Sequence, residues 1–231
     1  WSSDVCSSDL KIGFGIISTD RQDLASNKNG VNKIETSYNG SKSIDVDFKR
    51  FSFDETKHLN RYVDYEFYYK NKKRIQKLFI EKNNPLSILK AHTNNGALKI
   101  ESYTSSIYKI IVSDFKGNQS ELKIPIKGAF KKLINTKLNN PDLQHISASE
   151  EIFLEKDHVS VQISKNTFYE DVDIQFQVSN DTLKLHTAII PLQKSMTISF
   201  DISKYKGHDK DHLFIGSVSR YGNKLYYAST K

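Results

Sequence analysis

The apolar positions along the chain recur with a period of two. Ile34, Thr36 and Tyr38 alternate up to Asn39-Gly40, and Ile44, Val46 and Phe48 alternate after it. An Asn-Gly pair between alternating runs predicts a hairpin, because both residues tolerate the positive φ of a type I′ turn. Tyr108, Ile110 and Val112 predict a second hairpin, turning at Asp114-Phe-Lys-Gly-Asn118 and returning through Leu122, Ile124 and Ile126. Leu98 and Ile100, just after Asn95-Gly96, predict a further strand.

Residues 52–77 interrupt this period. Ser52-Phe-Asp-Glu55 has the Ser-x-x-Glu spacing of a capping box and predicts a short helix through about Tyr62. The stretch from Arg61 to Lys77, dense in aromatics and bases, reads as a long excursion between sheet strands.

From Gly128 to Ser149 the alternation is lost, and so long a polar stretch inside one compact domain is uncommon, so it predicts a boundary. Alternation resumes in Val159, Val161 and Ile163, in Val172, Ile174, Phe176 and Val178, and in Met196, Ile198, Phe200 and Ile202. Asn180-Asp181, Pro191 and Lys206-Gly207 supply the turns. The expectation is an all-β chain of two antiparallel domains, 11–130 and 148–231, joined by a linker over 131–147, with a short helix in the first. The second domain is expected to be truncated, since the chain stops just after the strand-like Lys224-Leu-Tyr-Tyr-Ala228.

Composition narrows the classes. With 231 residues, 37% hydrophobic and 11% aromatic, the chain can build a core, which excludes wholesale disorder. No run approaches the roughly 18 apolar residues of a membrane-spanning helix. One Cys excludes a disulfide scaffold. The decamer WSSDVCSSDL at residues 1–10 repeats Ser-Ser-Asp, holds that single Cys6 and fits no strand or helix period; it resembles the translation of a sequencing adapter and is expected to be a non-native leader. The chain is thus expected to be a fragment. Net charge is +7; without the two acids of the decamer, residues 11–231 carry 34 bases and 27 − 2 = 25 acids, or +9. That charge permits an anionic partner and says nothing of fold.

Candidate chemistry is sparse. Of seven histidines only His208 and His212 share a close spacing, and they sit in a polar loop without the third ligand a catalytic zinc needs. No Ser lies in a Gly-x-Ser-x-Gly elbow, and no Gly-rich loop could cradle phosphate. No catalytic, cofactor or metal residue is therefore expected in this stretch. The one candidate binding surface is the aromatic-basic segment, through Arg61, Tyr62, Tyr65, Tyr68, Tyr69, Lys70, Lys72, Lys73 and Arg74. Interleaved rings and bases can stack nucleobases and neutralise phosphates, or stack on sugars. The alternative is that half of these rings seal the edge of the sheet.

Asp114-x-x-Gly117-Asn118, preceded by Tyr108-x-Ile-x-Val and followed by Ser120-x-Leu, resembles the last hairpin of bacterial immunoglobulin-like domains. Arg50-Phe-Ser-Phe-Asp-Glu-Thr-Lys-His-Leu-Asn60, Tyr62-Val-Asp-Tyr65, Arg74-Ile-Gln-Lys-Leu-Phe79 and Asn83-Asn-Pro-Leu-Ser-Ile88 carry a second likeness. With Gly13-Phe-Gly and Asp20-Arg-Gln-Asp23 they resemble the region after the catalytic domain in M23-family metallopeptidases of Bacteroidota. Val161-x-Ile-x-Lys-x-Thr-Phe-Tyr-Glu-Asp171 and His186-Thr-x-x-Ile-Pro191 are similar to that region's second β-domain. The resemblance spans nearly all of 11–231.

The resemblance implies two immunoglobulin-like β-sandwiches in tandem, acting as the non-catalytic accessory part of a peptidoglycan endopeptidase in the periplasm or at the cell surface. It implies zinc only in a missing catalytic domain, held by His-x-x-x-Asp and His-x-His motifs that do not occur here. The expected partners are that domain and peptidoglycan or another envelope glycan. Two other classes stay open: a free-standing glycan-binding or adhesion module, and a nucleic-acid-binding protein using segment 61–77.

Overall fold

The computed structural model describes residues 10–21, 28–50, 52–129, 143–203, 213–218 and 225–227. The fold is all-β, built from antiparallel sheets with a little helix. The decamer lies outside the described residues except Leu10, whose backbone pairs with Ile100.

The first unit opens with four short strands, β1 (Leu10–Ile12), β2 (Gly15–Ile16), β3 (Asp20–Arg21) and β4 (Lys28–Asn29). The predicted first hairpin follows as β5 (Lys33–Tyr38) and β6 (Ser41–Asp47), turning through Asn39 at φ +49° and Gly40 at φ +84°. Between Glu35 and Ser37 the register shifts, a bulge that leaves the backbone of Ile44 without its ladder partner. The buried hydroxyl of Thr36 fills that gap: Oγ1 donates to the Ile44 carbonyl and accepts from its N–H, both at 3.0 Å. Ile34, which faces Val46 across the ladder, and Ile44, two residues from Val46, share the inner face with it, each fully buried.

Ser52 caps the next segment by accepting from Asp54 N, and a 3₁₀ turn (Phe53–His58) runs into α1 (Leu59–Tyr62). The expected excursion that follows is a second helix, α2 (Tyr65–Asn71), then β7 (Gln76–Lys77). Further on come β8 (Leu89–Ala91), β9 (Leu98–Ile100) and the second predicted hairpin, β10 (Ser105–Ser113) with β11 (Gln119–Lys127). Among the described residues the main sheet has the order β11-β10-β5-β6-β8, flanked by the pairs β1-β9, β2-β7 and β3-β4. Ile34, Val46, Tyr62, Leu78, Leu98 and Tyr108 form one core across these layers, with the Phe14 ring stacked on Tyr108 at 4.7 Å. Leu122, expected to face inward, is half exposed, because β11 is the edge strand and no described residue covers its end of the inner face.

The second unit begins earlier than expected. Within the predicted linker 131–147, β12 (Leu143–Ile146) is a strand that buries Ile146 completely; the rest of that linker, up to 142, lies outside the described residues. β13 (Ile152–Lys156), β14 (Val159–Ile163), β15 (Val172–Ser179), β16 (Thr182–Leu185) and β17 (Thr197–Phe200) complete two sheets of order β12-β15-β16 and β13-β14-β17. Ile146, Val161, Ile163, Phe168 and Ile174 interlock between them. Asn180-Asp181 turns β15 into β16, with Asn180 at φ +51°. Ile198, expected inside, is 38% exposed. A last pair, β18 (Gly216–Val218) and β19 (Leu225–Tyr227), follows.

Candidate functional site

Two places in the first unit draw on segment 61–77, and they do different things. The outward one is α2. Asp64 caps it, Oδ1 accepting from Phe67 N at 2.9 Å, and Lys72 ends it in the left-handed region at φ +58° with its N–H on the Tyr68 carbonyl. Glu66 and Lys70 pair one turn apart on its exposed side. The Arg74 guanidinium lies 4.9 Å from the Tyr68 ring centroid, and the Lys72 ammonium 5.2 Å from that of Tyr69. Cations therefore already occupy the tyrosine rings, and a base or sugar stacking there has to displace them.

The structure separates the nine candidate residues. Tyr68, Tyr69, Lys70, Lys72, Lys73 and Arg74 lie together on or just after α2, and Tyr65 packs half-buried against the core. Arg61 and Tyr62 are corrected from surface to interior, at 8% and 2% exposure. They sit on α1, which lays that side against the main sheet and the second unit. Desolvation pushes the Tyr62 phenol far above its ordinary range. The surface charge falls accordingly. Segment 61–77 counts six bases and two acids, but Arg61 and Lys77 both turn to Glu81, leaving four bases against two acids.

The inward place is a clasp between the two units. Arg61 Nη2 donates to Glu170 Oε1 at 2.6 Å, while its Nε stands 2.9 Å from Glu81 Oε2. Its guanidinium also lies over the Tyr169 ring, 5.2 Å from the centroid. Lys77 Nζ completes the charge balance at 2.9 Å from the other Glu81 oxygen. Tyr169 is held twice more: its hydroxyl lies 2.6 Å from His58 Nδ1, and its carbonyl accepts from Asn83 Nδ2 at 2.6 Å. Burial lifts the Tyr169 phenol to about 12, against the opposing pull of Arg61. Burial, aided by Lys57, lowers His58.

Glu170 and Tyr169 belong to the turn between β14 and β15, which the second unit braces from behind. Gln193 donates to both the Thr167 and Phe168 carbonyls, Asn166 N to the Ala148 carbonyl, and Ala148 N to Asp171. Reading along the sequence misses Glu81, Asn83, Tyr169 and Glu170. Each is locally ordinary, and only the fold brings Tyr169 and Glu170 to Asn83, Arg61 and His58, between 86 and 111 positions away.

The remaining described histidines have structural partners. His92 meets Asp45 at 2.9 Å, His145 meets Asp173 at 2.8 Å, and His158 lies 3.3 Å from Asp181. His186 is lowered by burial and bonds the Ile190 carbonyl from Nε2. His208 and His212 lie outside the described residues. Among the described residues no three His, Cys, Asp or Glu side chains converge as a metal site, and no helix is long and apolar enough to cross a membrane.

Residues 143–231 match the Zu5-like domain family, a stretch that begins with β12 and covers the second unit. No curated protein and no solved structure matches the chain.

Proposed function

We propose that the chain is a non-catalytic accessory region of an envelope peptidase of the M23 type, acting in the periplasm or at the cell surface to hold its catalytic domain at a set position on peptidoglycan. The observation that carries this reading is the clasp. A flexible tether needs no contact between its units, whereas here Arg61, His58 and Asn83 of one unit grip Tyr169 and Glu170 of the other. Four kinds of contact on two adjacent residues fix an angle between units, which is what a spacer with a positioning role requires. The zinc of such peptidases would belong to the catalytic domain, and no residue described here is assigned to it.

The test is the gene upstream of residue 11. The expected frame encodes His-x-x-x-Asp and His-x-His motifs, and its product cleaves peptidoglycan in a zinc-dependent way. Arg61→Ala with Tyr169→Phe then lowers turnover of intact peptidoglycan several-fold while cleavage of a free cross-link peptide persists. A frame without those motifs, or turnover of intact wall unchanged by the double variant, overturns the reading.

A further inference from the structure

The outer face of the β10/β11 hairpin carries a trough of about 550 Å³ that no feature discussed so far uses. The ladder register builds it. Lys109 stands opposite Lys123 on one side and Ser37 on the other, Ile107 opposite Pro125, and Ser105 opposite Lys127. Side chains directly across an antiparallel pair on one face lie about 5 Å apart, so these rows form a continuous surface. Its floor is apolar, with Ile107 53% exposed beside Pro125. Its walls are cationic and hydroxylic, and no carboxylate lines it. Lys109 and Lys123 share one acid, Glu121, at 3.4 and 2.9 Å, and Lys127 has no carboxylate partner among the described residues. Three ammonium groups against one carboxylate leave the trough with a local +2.

We infer that this trough binds a carboxylate-bearing saccharide, with Lys109, Lys123 and Lys127 taking the carboxylates and Ile107 and Pro125 meeting the C–H face of a sugar ring. The size lies within the roughly 300–1,000 Å³ of small-ligand sites. Lys is a mobile point charge and takes a carboxylate without demanding the fixed geometry of Arg. Ser37 and Ser105 offer hydroxyls that can donate to or accept from sugar hydroxyls. Single-stranded nucleic acid fits less well, because successive bases need aromatic platforms and the lining holds none. A peptide adding as a strand is disfavoured by Pro125 on the edge strand, where it removes a donor.

One ring precedes the Ser105–Lys127 end of the trough in the chain without lining it. Tyr103 precedes Ser105 by two residues, donates its N–H to the Gly128 carbonyl beside Lys127, and leaves its side chain 86% exposed. Its φ of +63° is an outlier for a bulky residue. Such strain persists where something else is gained, and an exposed phenol within two residues of Ser105 supplies a reason for it if a bound sugar extends past that end.

This inference does not rest on the peptidase reading, since it concerns the chain by itself. The experiment is calorimetric titration of the full chain with trigalacturonate, with maltotriose as the uncharged probe and a ten-residue thymidine oligonucleotide as the competing class. Trigalacturonate is expected to bind at low salt at least about tenfold more tightly than maltotriose, and to weaken as salt rises. Lys123→Ser with Lys127→Ser removes that margin with the thermal midpoint unchanged, while Lys72→Ser with Lys73→Ser leaves it intact. Tyr103→Gly weakens binding severalfold yet raises the midpoint, because it relieves the strained φ; a merely structural Tyr103 would not divide the two readouts. Equal binding of both sugars, tighter binding of the oligonucleotide, loss on the α2 variant in place of the trough variant, or no binding of trigalacturonate overturns the inference.

Discussion

The hydroxyl of Tyr169 lies 2.6 Å from Nδ1 of His58, a contact between two units 111 residues apart. Both groups are poorly solvated: burial lowers the histidine and raises the phenol. With the imidazole neutral and its proton on Nε2, the phenol donates to Nδ1.

Tyr169→Phe keeps the ring under Arg61 and removes only that donor. The expected cost is about 1–2 kcal/mol, since His58 is left buried with one nitrogen unpartnered. Urea unfolding checks it. A cost within error of zero would show that the clasp rests on Arg61 and Asn83.

Acid is expected to weaken the clasp. A histidine whose folded pKa is lowered stays neutral in the folded chain while the unfolded chain takes up a proton. Stability is therefore full above the ordinary value of about 6.5 and declines as pH falls below it, until His58 itself protonates. Lys57 opposes that protonation and Glu55 favours it. His186, also lowered by burial, shifts with the same sign. The difference between parent and His58→Gln in urea midpoint, from pH 8 to pH 5, isolates the clasp: the parent should fall further. Parallel curves would assign the acid response elsewhere.

Arg61→Ala should be the most damaging single change at this interface. It leaves Glu81 with Lys77 as its remaining cation, strips Glu170 of its partner and uncovers the Tyr169 ring. Glu170 is half exposed, so the Arg61–Glu170 pair is partly screened, and the whole change should cost about 2–3 kcal/mol. Glu170→Gln should cost less than about 1 kcal/mol. Thermal and urea unfolding of both variants test the ranking, and the reverse order would locate the interface energy in the exposed pair.

Gly96→Ala separates backbone strain from steric clash. A Cβ at Gly96 would meet the Leu78 carbonyl oxygen at 2.6 Å and the Phe79 Cα at 2.9 Å, on a backbone already at φ +80°. Gly40 has a similar φ of +84° with nothing within 4 Å of the added carbon. Gly40→Ala should cost about 1–2 kcal/mol from conformation alone, and Gly96→Ala clearly more. Equal losses would mean that the 78–79 backbone moves aside freely.

Much of the architecture is legible in the sequence, and the limits of that reading have physical causes. Asn39-Gly40 and Asp114–Asn118 mark both hairpins because turn chemistry is local. The capping serine and the helix through Tyr62 are legible for the same reason. β12 is hidden because its apolar ends, Leu143 and Ile146, lie three residues apart and out of phase with a strand. Leu122 and Ile198 alternate correctly yet stay exposed, since alternation identifies a face without showing what covers it. The candidate surface is half legible: composition flags 61–77, but the direction in which Arg61 and Tyr62 point is set by α1 and by the second unit.

Joining residues 109 and 111 positions apart also gives the clasp a place in time. Each half of it is shaped inside its own unit, Tyr169 and Glu170 by the bracing from Gln193 and Ala148, His58 and Arg61 by the helix capped at Ser52. Neither half takes shape outside its folded unit, so docking is expected to follow the folding of both. By the same logic it is the first part to open, through fluctuations smaller than those that unfold either unit. Amide exchange around Asn83 and Tyr169 should therefore run ahead of exchange in β10 and β14, with both cores still protected.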